Sequence, residues 1–473
     1  MEPVADEELS TGAYGGSRPR GADLETPPAH AHDGVGRAIS LPELEELAPE
    51  ERGILEAIAA ESDWMTLVLG DLIRAPSVLG NEEVGQEVVR RALRELRLDP
   101  VEVAMDAEQI RAHPGHSPFD WDVSGKRNVV ATWFPGESPD GSGRWRSLIL
   151  NGHVDVVSAE PRSQWPRDPF GAEMHDGWIY GRGAADMKCG IASILGAVRG
   201  LRALGLHPRA PVHLQSVVEE ECTGNGTLAC LMAGQTADAA VIAEPFGAAI
   251  TTSQVGVLWF RVKIEGVAGH AAEDPNGVNV IEKSFLVMRA LRGLEEELNA
   301  DPPPPYDQFP HPIHLNVGAI HGGDWASTVP GECVTNYRIA LYPGMRVRAL
   351  QDRIEAVVAE AALEDPALLA HPPQVSYAGF SCEGYELRDE APLVTTLARA
   401  FARQAGSAPA LVATTGTTDA RVFGLHFGIP AVCFGPYAEQ AHGVDERAYL
   451  PSVVQTAQVL GLFIRDWCGL SRG

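Results

Sequence analysis

The sequence predicts an α/β protein: a mixed, mostly parallel sheet flanked by helices, forming a main domain interrupted by an inserted α+β domain. Three observations carry this expectation. Short apolar runs of strand length alternate with segments of helical periodicity between residues 128 and 243, as in a sheet covered by helices on both faces. From about Gly256 the runs alternate apolar and polar residues one by one, the mark of half-buried strands. After about Glu383 the first pattern returns, so the second unit interrupts the first.

Residues 1–48 are rich in Gly, Pro, Glu, Ala and His with no apolar period, which predicts a loosely ordered tail. The first segment of the main domain, the one expected to carry the chemistry below, is expected over 49–254. Ile54, Leu55, Ile58, Met65, Leu69 and Leu72 recur at helical spacing, and Pro76 ends that helix. A second amphipathic helix is expected over about 82–98. Strands follow at 128–133, 147–150, 212–218 and 239–243, with helices at 191–204 and 227–233 between them. The inserted unit is expected over 255–383. It opens with a strand in which Trp259, Arg261, Lys263 and Glu265 alternate with Phe260, Val262 and Ile264. A helix over 280–297, strands over 314–320 and 332–341 and a helix over 347–363 complete it. The closing segment, 384–473, carries a last strand at 431–434 that leads into the loop bearing His442.

Composition narrows the partners. The chain has 473 residues, too many for one compact core, and 45% are hydrophobic against 21% charged. A formal net charge of −27 argues against nucleic acid or an anionic membrane surface. The seven cysteines are odd in number and scattered, with no Cys-x-x-Cys pair. They read as reduced thiols in a cytoplasmic protein rather than a Cys-rich zinc site. No signal-like segment opens the chain, and no apolar stretch approaches the roughly 18 residues of a membrane span.

The chemistry lies in an ordered series of polar residues. His153, Asp155, Asp186, Glu220, Glu221, Glu244 and His442 each fall at an expected strand end or in a loop. Two imidazoles and several carboxylates are what a pair of Zn²⁺-like ions needs. In His153-Val-Asp155 the two side chains share one strand face, so the carboxylate is placed to orient the ring. Asp186 stands in the glycine-rich run Gly181–Lys188, able to present one oxygen to each ion. Adjacent Glu220 and Glu221 can point different ways, one to metal and one to take a proton from the attacking water. Read alone, each of these is equally a solvated or core polar residue.

Two segments imitate other chemistry. Gly224-Asn-Gly226 follows a strand and opens a helix, with Glu244 downstream, a relaxed dinucleotide-binding pattern that would make this an NAD-dependent dehydrogenase. Three glutamates immediately before it would repel a pyrophosphate. Thr414–Thr418 suggests a phosphate loop but lacks the Gly-Lys-Ser/Thr that such a loop requires.

From Ile54 to the C-terminus the chain resembles the acetylornithine deacetylase, succinyl-diaminopimelate desuccinylase, aminoacylase and glutamate carboxypeptidase superfamily of dinuclear zinc hydrolases (peptidase family 20). The motifs are NGHVDVV (151–157), WPRDPFGAEMHDGWIYGRGAADMKCG (165–190), EEECTGNG (219–226), AEPFG (243–247), GVAGHAAEDPNGVN (266–279), TGTTDAR (415–421) and AHGVDE (441–446). The resemblance implies two Zn²⁺, with Co²⁺ or Mn²⁺ as substitutes. It implies His153 and Glu244 on one ion, Glu221 and His442 on the other, and Asp186 bridging, followed by a cis peptide. Asp155 becomes the orienting residue and Glu220 the general base. The inserted unit becomes a lid and dimerisation domain, whose His270 reaches across a homodimer interface to the oxyanion. His270 also counts with Arg338 and Asn316 as substrate-binding, Arg338 for a substrate carboxylate. Two departures stand out: Cys189 replaces the usual glycine after DMK, and Ser327-Thr-Val-Pro330 replaces an Asn-containing segment that often contacts substrate.

The expected activity is hydrolysis of the amide in a small N-acyl amino acid or related N-acyl amine by deacetylation, desuccinylation or deformylation. A dipeptidase or glutamate-type carboxypeptidase is the alternative with the same chemistry. A dehydrogenase or a non-catalytic binding protein is more remote.

Overall fold

The computed structural model describes residues 36–39, 41, 46–134, 145–273 and 277–472. Most of the expected tail, residues 1–48, lies outside them. Within it, Arg37–Ala38 pairs antiparallel with Leu411 and Ala410 at a sheet edge.

One expected N-terminal helix is two, Pro49–Ala59 and Ser62–Arg74. The chain turns at Ala60 and Glu61, and both apolar faces then reach one helix, Cys189–Ala203. The approach is so close that a side chain on Gly200 would meet Ile58, and one on Gly196 would meet Met65.

Behind these helices stands a ten-stranded mixed sheet. Its four central strands are Ala431–Cys433, Ala240–Ile242, Leu148–His153 and Val212–Val217, and they run parallel. They are almost wholly buried, which suits apolar runs covered on both faces. Their carboxyl ends deliver His153, then Glu219–Glu221 after Val217, then Glu244 after Ile242. The strand Ala249–Gln254, parallel to Ala410–Thr414, was not expected. Its Thr-Thr-Ser-Gln run reads as loop. Those polar groups are buried yet bonded: Gln254 Nε2 donates to the Thr418 carbonyl at 2.8 Å, and Ser253 pairs with Tyr306 at 3.0 Å.

A second sheet is antiparallel, in the order Leu315–Gly322, Glu332–Leu341, Gly256–Glu265, Gln374–Ser376, with Ser381–Cys382 also on Gly256–Glu265. Leu258, Phe260, Val262, Tyr337 and Ile339 form one face, packed in a separate core with the helices Val280–Asn299 and Val347–Leu363. The period of two sends Trp259, Arg261, Asn316, Asn336 and Arg338 to the other face. That face looks toward the carboxyl ends of the large sheet.

A small antiparallel sheet joins the two halves of the chain. Trp178–Tyr180 pairs with Arg447–Tyr449, which fixes the glycine-rich run before Asp186 beside the loop bearing His442.

Candidate metal centre and substrate pocket

His153 is 1% exposed, and its two ring nitrogens face different groups. Nδ1 lies 2.9 Å from the main-chain carbonyl of Asp155 and 3.7 Å from its carboxylate. The carbonyl therefore takes the Nδ1–H and fixes Nε2 as the free donor atom. The sequence pointed to the Asp155 carboxylate for that task. The carboxylate instead accepts the Glu221 amide at 3.0 Å, and burial pushes it up to about 7.

Nε2 of His153 lies 3.1 Å from Asp186 Oδ1 and 3.7 Å from Glu244 Oε1. The other Asp186 oxygen lies 3.3 Å from His442 Nε2, which is 3.0 Å from Glu221 Oε2. Asp186 thus stands between two donor sets, His153–Asp186–Glu244 and Asp186–Glu221–His442. Two donors on one ion at about 2.0–2.2 Å and tetrahedral angles lie roughly 3.3–3.6 Å apart. The four separations bracket that value, so the residues fit two metal ions.

Electrostatics points the same way. Five carboxylates, of Asp155, Asp186, Glu220, Glu221 and Glu244, crowd two imidazoles. Burial raises Glu220 and Glu244 well above the usual carboxylate range, with neighbouring carboxylates adding to it. For Asp186 burial works upward too, but the neighbouring rings of His153 and His442 outweigh it and leave the group far below that range. The Glu221 charge lifts His442 to about 11. This much buried negative charge calls for cations.

The scaffold is specific. A cis peptide joins Asp186 to Met187. Glu446, wholly buried, accepts the amides of Ala185 and Asp186 at 2.9 and 3.0 Å and pairs with Arg182. Arg182 also donates to the His442 carbonyl at 3.2 Å. One ion pair therefore pins both the Asp186 turn and the His442 loop. Cys189 in place of the usual glycine is accommodated: its thiol is buried and donates to the Ala185 carbonyl at 3.1 Å.

Glu220 stands apart from both donor sets. Its Oε2 is 3.8 Å from His153 Nε2, and its buried Oε1 has no partner. It faces a cavity of about 720 Å³ between the sheet ends and the second sheet. Trp121, Phe246, Trp259 and Phe380 give the cavity apolar walls, and Asn316, Asn336 and Arg338 give it a polar end. Arg338 makes no hydrogen bond or ion pair among the described residues. The buried Oδ1 of Asn336 likewise lacks a partner.

His270 and Ser327 do not line this cavity. His270 is exposed on a two-residue strand paired with Thr328–Val329, its Nδ1 accepting the Ala272 amide at 3.2 Å. Asn336 and Trp259 escaped the sequence reading, although both share the alternation that places Arg338. Lys126 also escaped it. Its ammonium lies between the buried carboxylates of Glu82 and Glu219, at 2.5 and 2.7 Å.

The glycines that imitate a dinucleotide fingerprint have a packing role. A Cβ on Gly226 would fall 2.0 Å from the Val218 carbonyl, so the helix Asn225–Met232 can approach the strand only with glycine there.

The sequence matches the family model described as peptidase family M20/M25/M40 over residues 149–466. It is 30% identical over 348 residues to an N-formyl-4-amino-5-aminomethyl-2-methylpyrimidine deformylase of Halalkalibacterium halodurans, covering 69% of this chain and 81% of that one. It is 30% identical over 408 residues to a succinyl-diaminopimelate desuccinylase of Dinoroseobacter shibae, covering 84% and 97%. In fold it is similar to a dipeptidase of Saccharomyces cerevisiae, with a TM-score of 0.72 at 13% identity, covering 89% of this chain and 99% of that one. No helix among the described residues is long and apolar enough to cross a membrane.

Proposed function

This chain belongs to peptidase family M20/M25/M40 and is a metal-dependent amidohydrolase of that family; on that premise we propose that it hydrolyses the amide of a small N-acyl amino acid or related N-acyl amine. The observation that supports this most is the cavity itself, where Glu220, whose buried Oε1 has no hydrogen-bond partner among the described residues, and the guanidinium of Arg338 face one space. His153, Asp186 and Glu244 would hold one zinc ion, and Asp186, Glu221 and His442 the other. Such ions polarise a carbonyl and bring the pKa of a water toward neutrality. Glu220 takes the proton of the attacking water and returns it to the leaving amine. Asp155 holds the Glu221 amide and, through its own carbonyl, the His153 ring. Trp121, Phe246, Trp259 and Phe380 pack the organic body of the substrate and exclude water. Arg338, with Asn316 and Asn336, holds its carboxylate or other polar group.

The relatives act on formyl and succinyl substrates by name, so the test is a screen of the zinc-loaded protein on N-formyl, N-acetyl and N-succinyl amines, with dipeptides alongside. We expect two ions per chain by elemental analysis, turnover of one acyl class and loss of activity on chelation. Turnover of dipeptides alone would move the reading to a dipeptidase. A metal-free protein after reconstitution would overturn the metal assignment.

We further propose that residues 255–383 form the lid and dimerisation domain, and that His270 serves the site of a partner copy. In support, His270 is exposed and outside its own chain's cavity. Among the described residues, the strand Leu315–Gly322 also ends its sheet with an open edge, which sheets normally cover. Mixing inactive Glu220→Gln and His270→Ala proteins should restore about a quarter of wild-type activity, since half of random dimers are hybrid and one of their two sites is intact. No recovery despite proven subunit exchange would remove the trans role.

A further inference from the structure

Outside the residues that line the cavity, three potential ligands converge: Glu295 near the end of the helix Val280–Asn299, and His311 and His314 in the segment that leads into the strand Leu315–Gly322. One ligand atom of each lies within 4.8 Å of the other two. Glu295 is 3% exposed, while His311 is half-buried and His314 is exposed, so the group has a buried anionic floor and an open mouth.

The hydrogen bonds around it leave one carboxylate lone pair opposite the His311 ring. Glu295 Oε2 is taken by Arg292 at 2.6 Å, which keeps the carboxylate ionised. Oε1 accepts the Leu315 amide at 2.8 Å and keeps a second lone pair, which faces His311 Nε2 at 3.2 Å. Asn299 Nδ2 also approaches that ring nitrogen, at 3.3 Å, but its two hydrogens are used by the carbonyls of Glu295 and Ile313 at 2.9 and 2.8 Å. The 3.2 Å separation suits a shared proton, and it equally suits two ligands of one ion with bonds of about 2.1 Å. The His314 ring stands beside it, with centroids 5.0 Å apart.

We propose that Glu295, His311 and His314 form a separate site for a borderline divalent ion of the zinc or nickel type, with its remaining positions open to water. Two imidazoles and one carboxylate are a ligand set these ions accept, and an oxygen-preferring ion such as Mg²⁺ or Ca²⁺ would not choose it. A bound ion would tie the end of the long helix to the start of the strand at the open edge of the sheet.

The test compares the wild-type protein with His311→Gln/His314→Gln, which keeps polar side chains of similar size in place. Both are dialysed to equilibrium against buffered micromolar Zn²⁺ and analysed for metal, and their deacylase activity is measured. We expect the variant to hold one ion fewer per chain, with kcat and KM unchanged, and to lose part of the zinc-dependent rise in Tm. Equal metal content in the two proteins would overturn the proposal and leave the cluster as a hydrogen-bonded support. The readout is a difference between two proteins with the same cavity, so it stands or falls apart from the assignment of the catalytic ions.

Discussion

Glu220→Gln is expected to retain the metal content of the parent and to lose about 10²- to 10⁴-fold in kcat. Glutamine keeps the size and the packing of the side chain and removes only its ability to take a proton. The residue is suited to this test because it belongs to neither donor set. Its nearest ring nitrogen is 3.8 Å away, and its buried Oε1 has no partner to lose. The substitution should also leave the fold intact or slightly firmer. Burial raises Glu220, and Asp419, Glu244 and Glu221 raise it further by like-charge repulsion, so removing one negative charge relieves the cluster. Steady-state kinetics, elemental analysis and a thermal melt on the same preparation separate the outcomes. A drop in kcat with unchanged KM and metal, and a Tm no lower than the parent's, assigns the proton transfer to Glu220. Near-wild-type kcat on the true substrate would remove it from that role, and a loss of metal would make it a ligand.

The convergence of His153, Asp186, Glu221, Glu244 and His442 was legible in the sequence because each sits at the end of an apolar strand or in a loop. Those strands then proved to be parallel neighbours. Fold class was legible for the same reason, as strand-length runs alternate with helical ones. What escaped has a common cause. The strand Ala249–Gln254 is polar because its groups bond inside the protein, and hydropathy cannot tell a satisfied buried Gln from an exposed one. Asn336 and Trp259 gain meaning only once the register of Gly256–Glu265 against Glu332–Leu341 puts them beside Arg338. The split at Ala60 and Glu61 depends on the glycines of a helix more than a hundred residues away, which no local periodicity carries. Nothing in the local sequence around Lys126, next to Gly125, marks it as buried. Its partners, Glu82 and Glu219, lie 44 and 93 positions away.

That lysine supports the second large expected effect. Lys126→Met is expected to destabilise the protein by about 3–5 kcal/mol at neutral pH, the usual cost of removing one member of a buried ion pair. The ammonium lies 2.5 Å from Glu82 and 2.7 Å from Glu219, and the three side chains are 8%, 3% and 0% exposed. Methionine fills the volume but leaves two buried carboxylates with no cation between them. Trp121 and Thr223 still donate to Glu219, which softens the loss without replacing the charge. The pH dependence gives the effect a signature. In the wild-type protein those carboxylates hold Lys126 above its ordinary value although burial opposes them. Its stabilisation is therefore complete at neutral pH and fades only in strong alkali, as pH rises through the raised value. The variant lacks that stabilisation at every pH below the raised lysine value. The difference between wild type and variant should thus hold through neutral pH and shrink only as pH rises through that value. Urea unfolding of both proteins in their chelated form, at a series of pH values, reads this directly. A pH-independent difference under about 1 kcal/mol would mean that the carboxylates are served by other donors. Because Glu219 precedes the proposed base, Glu220, and holds a left-handed backbone at φ 61°, the variant's kcat should fall as well. That fall should be smaller than for Glu220→Gln, since the proton acceptor itself remains.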